Sequence, residues 1–78
     1  MTQDQPFLVI DARGLNCPLP VLRLRKRLKG LGAGAVVELL ATDRAALRDV
    51  PAFCEAQGYI VVAVDEADGV LKFRVRAG

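Results

Sequence analysis

Histidine and serine are both absent from this 78-residue chain, which removes the Ser-His and Cys-His schemes of nucleophilic catalysis. Cysteine occurs only twice, at positions 17 and 54. Two cysteines do not make a disulfide framework, and these two are too far apart for a Cys-x-x-Cys redox motif. With no histidine to join them, they do not make a zinc site either, so no metal and no bound cofactor is expected. No stretch approaches the roughly 20 apolar residues that a membrane span requires. The opening residues Met1-Thr2-Gln3-Asp4-Gln5 lack the basic start and apolar run of a secretion signal, so a cytoplasmic protein without a membrane partner is expected. Aromatics are sparse (Tyr59 and three phenylalanines, all in apolar contexts), and the net charge is only +2. Direct contact with nucleic acid is therefore not expected. Chemistry is left to cysteine, carboxylates, lysine, arginine and Tyr59.

What is present is apolar material, 53% of the residues, enough to fill one core. The expectation is a single domain over 1–78 with an ordered core at about 7–76, without repeats or linkers, and monomeric. Phe7 to Ile10 reads as a strand between Pro6 and the turn signal Asp11-Ala12-Arg13-Gly14. Val21, Leu24, Leu28 and Leu31 recur at helical spacing, and Gly30 suits a left-handed C-cap with Leu31 as its apolar contact. Ala35 to Ala41 reads as an interior strand covered at least partly on both faces. Thr42 or Asp43 then caps a second helical region, in which Leu47, Val50, Phe53 and Cys54 share a face. Pro51 is incompatible with a helix interior, so a short turn before Asp49 and a fresh helix start around it are expected. Gly58 ends that helix. Tyr59 to Val64 and Val70 to Arg76 read as strands of a hairpin closed through Asp65-Glu66-Ala67-Asp68-Gly69. In the last strand Leu71, Phe73 and Val75 alternate with Lys72, Arg74 and Arg76, giving one core face and one basic, wet face. The order β-α-β-α-β-β predicts an α/β two-layer sandwich (α+β), with a four-stranded mixed sheet carrying two helices on one face.

Cys17 stands in Cys17-Pro18-Leu19-Pro20, just ahead of the first helix. Pro18 is comfortable as the first helical residue, although Pro20 restrains Leu19 and the helix can begin as late as Pro20. A thiol at a helix N-terminus feels the positive end of the helix dipole, which favours the thiolate, and Arg13 adds charge if the turn folds back. Position alone leaves two readings, a helix opener or a reactive thiol. Cys54, on an apolar helix face, reads as a small core residue.

Asp11, then Gly14-Leu15-Asn16-Cys17-Pro18-Leu19-Pro20, then a helix with Arg25-Lys26, resembles the TusA/SirA/YeeD-type sulfur carrier family. The likeness continues through Asp43, Arg48-Asp49-Val50-Pro51-Ala52-Phe53, Gly58 and the final hairpin, from about Phe7 to Arg76. The resemblance implies that Cys17 takes sulfane sulfur as a persulfide from a cysteine desulfurase or rhodanese-type donor and passes it to an acceptor protein with a reactive cysteine. Such a chain is a sulfurtransferase-type covalent carrier more than a true catalyst. Asp11, Gly14, Asn16, Pro18 and Pro20 belong to the motif around it. Receivers in the family include tRNA 2-thiouridine synthesis, molybdenum-cofactor assembly and sulfur oxidation. The best-known tRNA-thiolation members have an acidic residue where this chain has Leu19. Arg13, Leu19, Arg23, Lys26 and Arg27 are the expected partner-binding residues, with a solvated helix face as the plainer reading of the cations. Two other classes stay in view: a basic RNA-binding module and a thiol redox regulator in which Cys17 is oxidised.

Overall fold

The alternation that marks residues 70–76 as half-buried organises the whole sheet. In the computed structural model, which describes residues 8–78, the elements are β1 (Leu8–Ala12), α1 (Leu19–Leu28), β2 (Val36–Ala41), α2 (Ala46–Gln57), β3 (Ile60–Ala67) and β4 (Val70–Arg76). Strand order across the sheet is β1-β2-β4-β3. β1 and β2 pair in parallel, while β4 pairs antiparallel with both β2 and β3. The crossover through α2 thus carries β3 to the far edge and leaves the place beside β2 for β4.

Register puts the apolar positions in rows. Ile10 faces Leu39, which faces Phe73, and Ala12 faces Ala41, which faces Leu71. All six are buried to 1% exposure or less. Leu24 and Leu28 of α1, with Ala46, Val50 and Cys54 of α2, close over this face at 2% or less. Both helices therefore lie on one face, as the element order predicts. The other face carries Glu38, Lys72 and Arg74, and Arg74 Nη2 reaches Glu38 Oε2 at 3.6 Å. Among the described residues, no helix is long and apolar enough to cross a membrane.

Several local expectations need correction. The start of the first strand at Phe7 lies outside the described residues, and the strand continues past Ile10 to Ala12. Gly30 is not a left-handed cap: α1 closes at Lys29 in right-handed geometry, with its N–H on the Arg25 carbonyl. No turn interrupts α2 near Asp49, because the helix runs through Pro51 without a fresh start. Pro51 withdraws one donor from the Leu47 carbonyl. Leu47 itself is 40% exposed and does not join the core face, whereas Val50 and Cys54 on either side of the proline are buried. That buried packing outweighs the local helix-breaking preference. The hairpin loop is also shorter than expected, since strand pairing extends to Ala67 opposite Val70. Asp68 and Gly69, at φ 54° and 79°, form the two-residue turn that matches strand twist. Gly58, at φ 79°, ends α2 as predicted.

Candidate functional site

Because β1 and β2 run parallel and adjacent, the loops that follow them emerge at the same end of the sheet. The loop after β1 brings Cys17, and the loop after β2 brings Thr42 and Asp43 with the first turns of α2. Functional groups collect at such carboxyl ends of parallel strands for this topological reason.

The Cys17 loop is held at both ends. Asp11 accepts from the Arg13 backbone N–H at 3.0 Å and from its guanidinium Nε and Nη2, both at 2.9 Å. The Arg13 hydrogen bonds hold the Asp11 carboxyl down at about 2. Arg23 Nη1 donates to the Asp11 carbonyl at 2.9 Å, tying α1 to the end of β1. Gly14 donates its N–H to Thr42 Oγ1 at 2.9 Å from a backbone at φ 79°, a left-handed conformation that side chains disfavour. A Cβ at Gly14 would meet nothing within 4 Å, so the backbone conformation alone selects glycine. Gly14→Ala is therefore expected to cost about 1–2 kcal/mol of stability, and Gly14→Asn distinctly less. Chemical denaturation of the two variants checks both values. Asn16 accepts from the Leu19 N–H at 2.9 Å through its carbonyl, the Cys17-Pro18 peptide is cis, and Pro20 is buried. Helix α1 opens with Pro18 as its N-cap and Leu19 as its first residue, between the two starts that the prolines allowed.

Two carboxylates, one from the far loop and one from α2, reach Cys17, and Arg48 stands behind the second. Asp43 Oδ2 accepts the Cys17 backbone N–H at 2.7 Å, and Asp43 Oδ1 accepts the Ala45 N–H at 3.0 Å. Asp43 thus caps the turn ahead of α2 and pins the cysteine with the same carboxylate, although the N-cap proper is Ala45. Cys17 Sγ donates to Asp49 Oδ2, and Arg48 Nε holds the other oxygen of that carboxylate at 3.0 Å.

This surrounding reverses the expected electrostatics of the sulfur. Hydrogen bonding to ionised Asp49, followed by partial burial and the charges of Asp49 and Asp43, pushes the Cys17 thiol up from 9.0, with Arg48 opposing. The helix dipole is a partial charge, and a full carboxylate in direct contact outweighs it. Arg13 does not supply the charge expected of it at the sulfur, being committed to Asp11, and the nearby cation is Arg48 instead. The two cysteines differ sharply. Cys17 is half-buried at the site, whereas Cys54 is 1% exposed, and its burial pushes its thiol up to about 11.

Leu15 and Leu19, two residues to either side of Cys17 in the chain, line an open cavity of about 260 Å³ together with Leu22, Arg23 and Lys26 of α1. Leu19 and Leu22 are each 48% exposed. Of the cations expected to meet a partner, Arg23 and Lys26 lie here, and neither Arg27 nor Arg13 does. The contributions of Leu22, Arg48, Asp49 and Thr42 were not assigned from sequence. Asp43 and Asp49 stood out there only as points of likeness, and their roles depend on the parallel pairing of β1 with β2. Among the described residues no group of three or more His, Cys, Asp or Glu is arranged to hold a metal ion.

The family model described as "Sulfurtransferase TusA" matches residues 8–77. A sulfur carrier protein TusA from Pseudomonas putida is 38% identical over 76 residues, covering 97% of this chain and 95% of the relative. A putative sulfur carrier protein from Neisseria meningitidis serogroup A is 42% identical over 67 residues, covering 86% of this chain and 90% of the relative. The crystal structure of a SirA-like protein from Desulfitobacterium hafniense superposes with a TM-score of 0.81 at 37% identity, over 91% of this chain and 97% of that one.

Proposed function

The chain belongs to the TusA family and is a sulfur carrier, a role that sets it between a donor and an acceptor protein, and from that premise we propose that Cys17 is the atom-bearing residue. The observation that carries the assignment is the contrast between the two thiols. Cys17 meets solvent and ionisable neighbours, while Cys54 is sealed under α2 with no access for a partner. The same contrast answers a requirement of carriage, since a second thiol within reach would attack the persulfide and release sulfide.

In loading, the sulfur of Cys17 attacks the outer sulfur of a donor persulfide. The sulfur–sulfur bond of the donor breaks, its electron pair stays on the donor cysteine, and the proton lost from Cys17 is made up on that leaving thiolate. The products are a Cys17 persulfide and a donor thiol, so no oxidant or reductant is consumed. Discharge repeats the exchange, with an acceptor cysteine attacking the terminal sulfur. The donor fits a cysteine desulfurase or a rhodanese-type protein, and the acceptor is a protein with a reactive cysteine. Leu15, Leu19 and Leu22, rimmed by Arg23 and Lys26, offer such proteins an apolar contact with a cationic border on the loop and helix that carry Cys17. An apolar Leu19 favours partners different from those that meet an acidic residue at that position.

Incubation with a cysteine desulfurase and sulfur-labelled cysteine tests the reading. One label per chain, released by a thiol reductant, is expected. No label, or a label that resists reduction, refutes it.

A further inference from the structure

Asp49 has no part in the exchange written above, yet it makes the most direct contact with the reacting sulfur. Its Oδ2 accepts from Cys17 Sγ, and its Oδ1 is held by Arg48 at 3.0 Å. The Arg48 side chain is 81% exposed, so its charge is largely spent on water, while the Asp49 side chain is 24% exposed and can be reached from outside. The second carboxylate, Asp43, is fixed on the backbone N–H groups of Cys17 and Ala45 and cannot turn away. The charged groups acting on the sulfur are thus Asp43 from the loop after β2 and Arg48 and Asp49 from α2, with Arg13 and Arg23 both engaged by Asp11.

We propose, on the reading that Cys17 carries the sulfur, that Asp49 is a restraint on it: the Sγ–Asp49 contact holds the sulfur as a thiol until a cationic group on a partner protein engages that carboxylate. The partner so identified bears Lys or Arg beside its own reactive sulfur.

A role for Asp49 as proton acceptor is the obvious competitor, and acidities decide against it. Hydrogen bonds from Cys17 and Arg48 hold the Asp49 carboxyl below 3.8, while the thiol is displaced upward from 9.0. Moving a proton from such a thiol to such a carboxylate is steeply uphill, and a general base works best when its pKa lies near the working pH. A thiol donating to an ionised carboxylate is instead a stable resting pair. It protects the sulfur, because the thiolate is the form that oxidants and stray electrophiles attack. When a partner's cation takes over Asp49, the thiol loses its acceptor and gains a neighbouring positive charge, and both changes favour the thiolate at the moment the donor persulfide arrives. Loading then removes the S–H donor, and a persulfide anion facing Asp43 and Asp49 is repelled outward toward an acceptor.

The test compares the native chain with Asp49→Asn and Asp49→Glu in two reactions. The first is alkylation by iodoacetamide, a small neutral reagent, from neutral to strongly alkaline pH. Asp49→Asn is expected to react several-fold faster than the native chain at neutral pH, with its midpoint moved down and its alkaline plateau unchanged. Asp49→Glu is expected to fall back toward native behaviour. The second is sulfur uptake from a desulfurase persulfide at neutral pH. There the advantage of Asp49→Asn is expected to shrink or vanish, because a docked donor already relieves the restraint. An alkylation midpoint that stays or rises in Asp49→Asn overturns the restraint. An advantage as large in sulfur uptake as in alkylation overturns the part played by the partner's cation, and slower uptake by Asp49→Asn with the donor saturating, where a lost docking contact no longer counts, overturns the restraint and returns Asp49 to the role of proton acceptor. A native chain that takes no sulfur refutes the carrier reading and the partner arm with it, while the alkylation profile still decides whether Asp49 restrains the thiol.

Discussion

Replacing Phe73 with alanine is expected to cost about 3–5 kcal/mol of folding stability, the usual range for truncating a fully buried aromatic ring. Phe73 is 0% exposed at the centre of β4, between Leu39 of β2 and Val64 of β3, on the face that both helices cover. Truncation removes the transfer contribution of the ring and leaves a cavity that a backbone held from both sides cannot collapse to fill. Net stability for a domain of this size is of order 5–15 kcal/mol, toward the lower end for so short a chain, so the variant should sit near or past its folding limit. Urea unfolding of the native chain and of Phe73→Leu, a smaller truncation, gives the comparison. A loss below about 1 kcal/mol for Phe73→Ala would mean that the core is organised elsewhere.

The second large effect separates chemistry from stability. Cys17→Ser is expected to abolish sulfur uptake while leaving the denaturation midpoint nearly unchanged, because the residue is only half-buried and its backbone contact with Asp43 survives. Cys54→Ala is expected to do the reverse. Cys54 is 1% exposed in the core, so its loss should cost about 1–2 kcal/mol, with sulfur uptake intact. Uptake and unfolding measured on both variants form a cross in which each substitution moves one readout. Loss of uptake in Cys54→Ala at a temperature where that variant is folded would assign the second thiol a part in the exchange.

Much of this was legible in the residues because the signals were periodic. The alternation of Leu71, Phe73 and Val75 with basic residues gave β4 its faces, and Leu24 with Leu28 gave α1 its buried side. Isolated breakers were less dependable. Pro51 marks a helix start on local grounds, yet α2 passes through it because Val50 and Cys54 are anchored in the core on either side. Gly30 looked like a cap and is not one, since Lys29 closes α1 in right-handed geometry. Leu47 matched the apolar spacing of α2 and is nonetheless exposed, because the buried stripe of the helix runs Ala46, Val50 and Cys54 at spacings of four and Leu47 lies to one side of it.

At the candidate site, the motif singled out Cys17, and its surroundings were not legible. A thiol next to a helix N-terminus reads as activated only while nothing else is known to stand near it. The carboxylates of Asp43 and Asp49 come from more than twenty residues further along the chain, and they meet the sulfur only because β1 and β2 are parallel neighbours. Their effect has the opposite sign to the dipole and the shorter range, so direct contact decides. Arg13, which would add charge at the thiol only if its turn folded back, is held by Asp11, two residues before it.

The most direct measurement is peptide mapping by mass spectrometry of the native chain after loading from a desulfurase and cysteine, with free persulfides trapped before digestion. The added sulfur atom is expected on the peptide that contains Cys17, with the Cys54 peptide unmodified. Sulfur found on Cys54, or on neither cysteine under conditions in which the donor itself is loaded, would contradict the assignment of carriage to Cys17.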